Sequence, residues 1–173
     1  MSMSQKAVAA KLQQHIYKQT GIKKSISIPT ISGYGNCLFR AMSKATTRSQ
    51  EAHEILRLYV LNHMTDPTVA NKLQLLFTSG NSPDQNHMQH VTQMQNSGQW
   101  GTEQEIAVAA HLLHCSIVCF SKFCQSQFCL QHFPPHFLDS TPCSTSCKHH
   151  TIYLVNSSGT HYESALVMPS AEE

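Results

Sequence analysis

The chain has 173 residues, enough for one compact domain with a hydrophobic core of its own. Its 12 Lys and Arg residues against 10 Asp and Glu give a net charge of +2, and no basic run with interleaved aromatic residues occurs, so nucleic acid is not an expected partner. No apolar stretch of ~18 residues and no signal-peptide pattern is present, so we expect no membrane association and an intracellular, cytoplasmic protein. The seven cysteines are odd in number and irregularly spaced, which favours reduced thiols over a disulfide scaffold.

The first 32 residues predict one helix and one short strand. Val8, Leu12 and Ile16 recur at helical spacing and form a weak apolar stripe. This stripe either packs on the domain or lies loose, and we favour a peripheral helix. Residues 25–32 alternate apolar and polar, but Pro29 allows at most an edge strand there.

The segment 33–41 (GYGNCLFRA) predicts a tight turn followed by a helix that runs to about Thr46. Asn36 is a favoured N-cap, which places Cys37 in the first helical turn, where the helix dipole favours a thiolate. The glycines allow backbone N–H groups to converge near the sulfur. These features indicate a nucleophile with an oxyanion hole; the alternative is a buried cysteine at the start of a core helix.

Three more helices follow, separated by turn residues, and they predict a helical lobe. Pro67 opens the second of them, Gly80 ends it, and residues 82–83 open the third. The apolar positions of the three helices are Ala52, Ile55, Leu56, Tyr59, Val60 and Met64; Val69, Leu73, Leu76 and Phe77; and Met88, Val91 and Met94.

The last third of the chain predicts one more helix and then strands. Thr102 and Glu105 have capping-box spacing before an apolar helical stripe. Residues 115–120 form a short apolar run that is typical of a buried strand, and residues 152–155 and 162–167 predict a hairpin.

A cysteine nucleophile needs a histidine that takes its proton and an acceptor that orients this histidine. Among the twelve histidines, His161 is the best candidate because it lies at the hairpin turn, two residues before Glu163. Residues two apart in a strand share a face, so the Glu163 carboxylate can reach the imidazole. The alternative for any single histidine is an ordinary surface or core position.

Three blocks of the sequence resemble the ovarian-tumour (OTU) family of cysteine proteases. Residues 35–41 (GNCLFRA) look like its nucleophile motif, and residues 100–106 (WGTEQEI) resemble its Trp-Gly turn leading into a helix. Residues 152–154 (IYL) with 161–164 (HYES) are similar to its terminal block, which carries the catalytic histidine. The blocks occur in the family's order and spacing and cover roughly residues 31 to 167.

The resemblance implies a papain-like α+β fold, with a helical lobe packed on a small twisted β-sheet. It implies Cys37 as nucleophile, His161 as general base and acid, and Glu163 as the orienting third member. The backbone N–H groups of Tyr34, Gly35 and Cys37 would form the oxyanion hole.

The resemblance also implies a deubiquitinase that hydrolyses the isopeptide or peptide bond after the C-terminal glycine of ubiquitin or a ubiquitin-like modifier, without metal or organic cofactor. We expect a monomer with an N-terminal helical extension (1–24), the protease domain (25–168) and a C-terminal tail (169–173). Trp100, Gly101 and Tyr162 are candidate substrate-binding residues. For Trp100, core packing is the favoured alternative.

Two residues depart from the family's pattern. Tyr34 stands where the family usually has an aspartate that helps to shape the oxyanion loop, and Glu163 stands where Asp or Asn is more common. Both departures favour a slow enzyme, and they also motivate a second hypothesis, a ubiquitin-binding pseudoenzyme that is weak or inactive.

Cysteines and histidines are concentrated between residues 121 and 150. Cys143 and Cys147 have tolerable spacing for zinc ligands, but no clean pair-and-pair signature appears among Cys124, Cys129 and the nearby histidines. The segment is interpreted as a variable loop, and a zinc-dependent interaction domain is the third hypothesis. Cys115 and Cys119 lie on the predicted strand and are interpreted as small core residues.

Overall fold

The structure is a computed structural model that describes residues 3–77, 87–124, 127–139, 149–156 and 158–168. It contains six helices and five strands within these ranges. The helices are α1 Met3–Thr20, α2 Cys37–Thr47, α3 His53–Met64, α4 Pro67–Phe77, α5 His87–Met94 and α6 Glu103–Leu112. The strands are β1 Ser25–Ser27, β2 Ser116–Cys124, β3 Gln127–Phe133, β4 Thr151–Asn156 and β5 Glu163–Met168.

The five strands form one mixed sheet in the order β1-β5-β4-β2-β3. The predicted hairpin is present, because β4 and β5 pair antiparallel with Tyr153 opposite Ala165. Strands β2 and β4 pair in parallel, and the remaining pairs are antiparallel. Strand β1 is an edge strand, as Pro29 predicts, and it ends two residues before that proline.

The sheet buries apolar side chains on both faces. Along β2, Ile117 and Cys119 belong to one core cluster, whereas Val118 and Phe120 belong to a second. This alternation follows from the two-residue period of a strand. The first cluster lies under helices α2 to α6, so the predicted helical lobe on a small sheet is confirmed.

Helix α1 covers the other face of the sheet. Val8, Leu12 and Ile16 are buried and pack in the second cluster with residues of β1, β2, β4 and β5. The sequence left open whether this helix packs on the domain or lies loose. The structure shows that α1 packs on the domain. The proposed boundary at residue 24 stays a prediction, and the tail 169–173 lies outside the described residues.

Helix α3 is rotated relative to its predicted apolar stripe. Ile55 and Tyr59 were expected on the buried face, but both side chains are exposed. The buried face carries Val60 and Met64, as predicted, together with His53, Arg57 and Leu61. The prediction was wrong at Ile55 and Tyr59 because it left out polar residues, and two of them occupy buried positions of the same helical spacing.

The segment 121–150 contains a strand that the sequence interpretation as a loop missed. Strand β3 pairs with β2, with Leu130 opposite Phe120 and Cys129 opposite Ser121. Cys143 and Cys147 lie outside the described residues. Within the described ranges, no group of three or more His, Cys, Asp or Glu side chains is placed to hold a metal ion, and no helix is long and apolar enough to cross a membrane.

Candidate active site

Cys37 is the first residue of α2, at the positive end of the helix dipole, as the sequence predicts. Its side chain is 1% exposed. The sulfur lies between two backbone groups of the segment that leads into β5. The Tyr162 N–H donates to Sγ at 3.5 Å, and the thiol donates to the carbonyl oxygen of Thr160 at 3.9 Å.

His161 is the residue between these two sulfur contacts. Its imidazole is half-buried and lies beside Gly33, where a Cβ would be 3.8 Å from Nδ1 and 3.9 Å from Cε1. The structure therefore brings together the predicted nucleophile, the predicted base and the turn before α2, although they are more than a hundred positions apart in sequence.

Glu163 is the first residue of β5 and is 8% exposed. Its Oε1 accepts a hydrogen bond of 2.8 Å from Nε2 of Gln5 in α1. Among the described residues, no hydrogen bond joins Glu163 to His161. The structure therefore does not show the predicted contact of Glu163 with His161. The partner of the Glu163 carboxylate comes from the N-terminal helix, which the sequence interpretation did not connect to the site.

The turn before Cys37, residues 33–36, is here called the cysteine loop. Two of its residues have left-handed backbone, Tyr34 with φ 62° and Gly35 with φ 73°. The Tyr34 side chain is 92% exposed. Gly35 is buried against a second loop, residues 95–99, here called the facing loop; a Cβ at Gly35 would lie 1.6 Å from the carbonyl oxygen of Gly98. Only glycine fits at Gly35.

Asn36 occupies the N-cap position, but its side chain makes no capping hydrogen bond. The N-cap prediction was right about the position and wrong about the interaction. The amide of Asn36 instead bridges the two loops: Oδ1 accepts from the Gly98 N–H at 2.9 Å, and Nδ2 donates to Ser97 Oγ at 3.2 Å.

Arg57 lies beneath both loops and is a functional candidate that the sequence interpretation missed. Its guanidinium donates to Gly35 O at 3.2 Å, Asn36 Oδ1 at 2.8 Å, Gln99 O at 3.0 Å and Met94 O at 2.9 Å. Burial lowers the pKa of Arg57, while the charges of Glu105 and Cys37 act in the opposite direction. The sequence did contain one indication that Arg57 is buried, since it lies at helical spacing from the apolar residues Val60 and Met64.

Glu105 is fully buried, and it closes the predicted capping box of α6. Its Oε2 accepts from the N–H and the hydroxyl of Thr102 at 2.6 and 2.7 Å. Its Oε1 lies 2.6 Å from Nε2 of His90 in α5. The hydrogen bond with Glu105 raises the pKa of His90, against the effect of burial. Glu105 is thus a structural anchor between α5 and α6.

The three candidate substrate-binding residues have different surroundings. Trp100 is 50% exposed, so the core-packing interpretation was wrong. At Gly101 a Cβ would lie 2.3 Å from Cδ2 of Leu38, so this glycine allows the loop to approach α2. The Tyr162 side chain is buried, and burial raises the pKa of its phenol to about 12. Tyr162 therefore reaches the site through its backbone N–H.

Two other cysteines are core residues, as predicted. Cys115 and Cys119 are buried, and burial raises the pKa of their thiols to about 11 and about 12. Thiols with such pKa values are poor nucleophiles at neutral pH. Cys37 differs from both in its position, at a helix N-terminus and in contact with the two residues that flank His161.

The fold and the site define a class of protein, an α+β domain in which a cysteine at a helix N-terminus meets a histidine on a hairpin. A family model described as OTU-like cysteine protease matches residues 32–162. The chain therefore belongs to the OTU-like cysteine protease family, and the family indicated by the three sequence blocks is confirmed. No curated protein sequence matches the chain significantly.

Solved structures of OTU domains share this fold. The OTUD1 OTU domain is 19% identical with a TM-score of 0.64, over 92% of this chain and 95% of that one. The viral OTU domain protease from Dera Ghazi Khan virus is 15% identical with a TM-score of 0.61, over 83% and 82%. An OTU deubiquitinase from Wolbachia pipientis wMel, solved bound to ubiquitin, is 14% identical with a TM-score of 0.58, over 82% and 96%. The predicted α+β fold is thus confirmed.

Proposed function

We propose that this protein is a thiol-dependent deubiquitinase that hydrolyses the bond after the C-terminal glycine of ubiquitin or a ubiquitin-like modifier. The observation that carries the proposal is the position of the Cys37 sulfur. It lies at the start of α2, in contact with the backbone of Thr160 and Tyr162, the two residues that flank His161.

Membership of the OTU-like cysteine protease family supports the reaction type. The choice of ubiquitin is supported by the Wolbachia OTU deubiquitinase, which has the same fold and was solved bound to ubiquitin. At 14% identity the fold alone is shared, so the substrate of this chain is part of the proposal.

In the proposed acylation step, the His161 imidazole takes the Cys37 thiol proton and the sulfur attacks the carbonyl carbon of the C-terminal glycine. The carbonyl oxygen becomes an oxyanion that accepts hydrogen bonds from backbone N–H groups of the cysteine loop and Cys37. The tetrahedral intermediate collapses, the C–N bond breaks, and the leaving lysine amine takes the proton from the imidazolium. A thioester on Cys37 and a free amine are the products.

Deacylation uses the same groups in reverse. The neutral imidazole of His161 removes a proton from water, and the oxygen of that water attacks the thioester carbonyl. Collapse of the second tetrahedral intermediate breaks the C–S bond, and the sulfur leaves as a thiolate that recovers its proton from the imidazolium. Glu163 would orient His161 and stabilise its charged form through a contact that forms when the cleft is occupied.

One observation favours the second hypothesis, a weak or inactive ubiquitin-binding protein. The Cys37 thiol donates to Thr160 O, and the Glu163 carboxylate accepts from Gln5. In this arrangement neither group is bonded to the His161 imidazole. A catalytic cycle requires the sulfur to give its proton to His161 instead.

Hydrolysis of a fluorogenic ubiquitin C-terminal amide tests the proposal. We expect release of the fluorophore by the wild-type protein and its loss in Cys37→Ala. Cys129→Ser is the matched control and should keep the wild-type rate, because Cys129 lies on the edge strand β3, which β4 and β2 separate from β5. Equal rates for Cys37→Ala and wild type would overturn the proposal.

A further inference from the structure

A buried cation lies beneath the turn that precedes the proposed nucleophile. The Arg57 guanidinium, from α3, donates four hydrogen bonds, and the acceptors are the cysteine loop, the end of the facing loop at Gln99 and the end of α5 at Met94. Its Cζ also lies 4.3 Å from the centre of the Phe39 ring in α2. All these partners surround the turn that precedes Cys37.

The two acceptors in the cysteine loop lie between the predicted oxyanion-hole donors. Gly35 O and Asn36 Oδ1 are held by the same Nη2 atom of Arg57, at 3.2 and 2.8 Å. The Gly35 N–H precedes these anchor points in the chain, and the Cys37 N–H follows them. Fixing the carbonyl of Gly35 fixes its rigid peptide plane, which contains the Asn36 N–H. The planes that contain the Gly35 N–H and the Cys37 N–H adjoin it on either side, at the Cα atoms of Gly35 and Asn36.

The cysteine loop needs such an anchor. Tyr34 and Gly35 are two consecutive left-handed residues, a conformation that costs free energy for Tyr34. Tyr34 stands where the family usually has a loop-shaping aspartate, and its side chain is 92% exposed. The described contacts that hold the loop therefore come from beneath it, through Asn36, Gly98 and Arg57.

We propose that Arg57 is a positioning residue that holds the cysteine loop in the shape required for oxyanion stabilisation, replacing the support that the tyrosine at position 34 does not give. The proposal rests on the proposed function for its catalytic consequence. A planar guanidinium reaches four acceptors in different directions, which a lysine ammonium cannot do. Because Arg57 is buried beneath the cysteine loop, the proposed effect on the chemical step is transmitted through the loop.

The kinetic test compares Arg57→Met and Arg57→Lys with the wild-type protein. Oxyanion stabilisation acts in hydrolysis, whereas alkylation of a thiol by iodoacetamide has no oxyanion intermediate. We expect at least about a tenfold loss of kcat on the ubiquitin C-terminal amide for Arg57→Met, with KM nearly unchanged. The alkylation rate of Cys37 should fall much less than kcat, although the charges of Arg57 and Cys37 interact. Arg57→Lys should lose less. Unchanged kcat in a folded Arg57→Met protein would overturn the proposal.

A rescue experiment in Arg57→Ala tests whether the guanidinium group itself is required, and Arg57→Lys carries the kcat comparison if Arg57→Met does not fold. A groove of about 530 Å³ between α3 and the facing loop is lined by Arg57, Leu61 and Ser97, so solutes have access to the Arg57 position. Guanidinium at low millimolar concentration should restore part of the kcat of Arg57→Ala and leave wild type unaffected. Absence of rescue together with wild-type kcat in Arg57→Lys would contradict the proposal.

His87→Leu is the matched structural control. His87 is buried, and its Nε2 lies 2.8 Å from Met64 O at the end of α3. The variant loses a buried hydrogen bond of the same helical layer without touching either loop. We expect lower stability with wild-type kcat. A loss of kcat equal to that of Arg57→Met would mean that Arg57 acts only through global stability.

Amide hydrogen exchange separates this proposal from the proposed function. In Arg57→Met, peptides that cover residues 33–38 and 95–99 should exchange faster, with little change in the sheet. If the wild-type protein hydrolyses no ubiquitin substrate, the proposed function fails, and unchanged exchange in these peptides would separately exclude Arg57 as the anchor of the loop.

Discussion

At the scale of single residues, the cysteine loop depends on the missing side chain of Gly35. Its left-handed backbone costs any other residue about 1–2 kcal/mol, and a Cβ would lie 1.6 Å from Gly98 O. The obstacle is backbone of the facing loop, which cannot rotate away as a side chain can. Gly35→Ala should therefore separate the two loops.

Gly21→Ala is the control that isolates this effect. Gly21 has nearly the same φ, 70° against 73° for Gly35, and its Cβ would meet nothing within 4 Å. In urea denaturation we expect Gly21→Ala to lower the free energy of unfolding only by the cost of the left-handed backbone. The variant should keep its activity. Gly35→Ala should lose more stability and its activity. Equal losses in the two variants would show that the loop contact contributes nothing.

The residues of the site differ in how far the sequence could predict them. Cys37, His161 and Glu163 were found from two local patterns, a helix start and a hairpin turn, and from the resemblance of the three sequence blocks to the OTU family. The structure places all three near the start of α2 and the start of β5. Their catalytic roles stay predictions. Arg57 and Gln5 were not found, because the partners that they bind in the site are 21 or more positions away and no local pattern records such contacts.

At the scale of elements, α1 reaches the site from outside the family match, which begins at residue 32. Gln5 of α1 donates to Glu163 at 2.8 Å. An amide donor on one oxygen fixes the carboxylate and leaves the other oxygen for His161. We therefore predict that Gln5→Met lowers kcat/KM in the same direction as Glu163→Gln, but by less.

Gln13→Met is the matched control for this prediction. Gln13 lies on the exposed face of the same helix, so its substitution changes the composition of α1 without touching Glu163. Steady-state hydrolysis of the ubiquitin C-terminal amide gives the comparison. If Gln5→Met matches Gln13→Met while Glu163→Gln is impaired, α1 has no part in the function of the acid.

The contact between α5 and α6 should make stability depend on pH. The hydrogen bond with Glu105 raises the pKa of His90 above that of the unfolded chain. The stabilisation by the charged pair is therefore fully present below about pH 6.5 and is lost as the pH rises through the folded-state pKa. His90→Gln should lower Tm more at pH 5.5 than at pH 9.

Thermal unfolding of wild type and His90→Gln at the two pH values checks this prediction. Repeating the pair in a Glu105→Gln background removes the charge that raises the pKa of His90. In that background the Tm difference should no longer depend on pH. If Glu105 is intact and the Tm difference between wild type and His90→Gln is the same at both pH values, the charge of His90 does not contribute to stability.

Elements with a clear period were predictable, and those without one were not. The hairpin and the capping box left local signatures, and both are present. Strand β3 was missed because Cys, Gln and His residues hide an alternation that only pairing with β2 reveals. The α3 stripe was misplaced because a buried arginine is stabilised by distant carbonyls, which a pattern of apolar residues cannot show.

At the scale of the whole molecule, the sheet is the frame that assembles the site. One face packs on the helical lobe that includes α2, the other packs on α1, and β5 lies next to β4 between them. The start of β5 is thereby placed against the start of α2. The sequence could predict where α2 and β5 start. That the two starts lie together depends on the order of strands in the sheet, which local patterns do not determine.

The most direct test of the central claim is reaction with ubiquitin that carries a C-terminal electrophile, followed by mass spectrometry. We predict one adduct per chain, mapped to Cys37, retained in Cys129→Ser and absent after His161→Ala. An adduct on another cysteine, an undiminished adduct in His161→Ala, or no adduct from folded protein with ubiquitin and with the ubiquitin-like modifiers would contradict the claim.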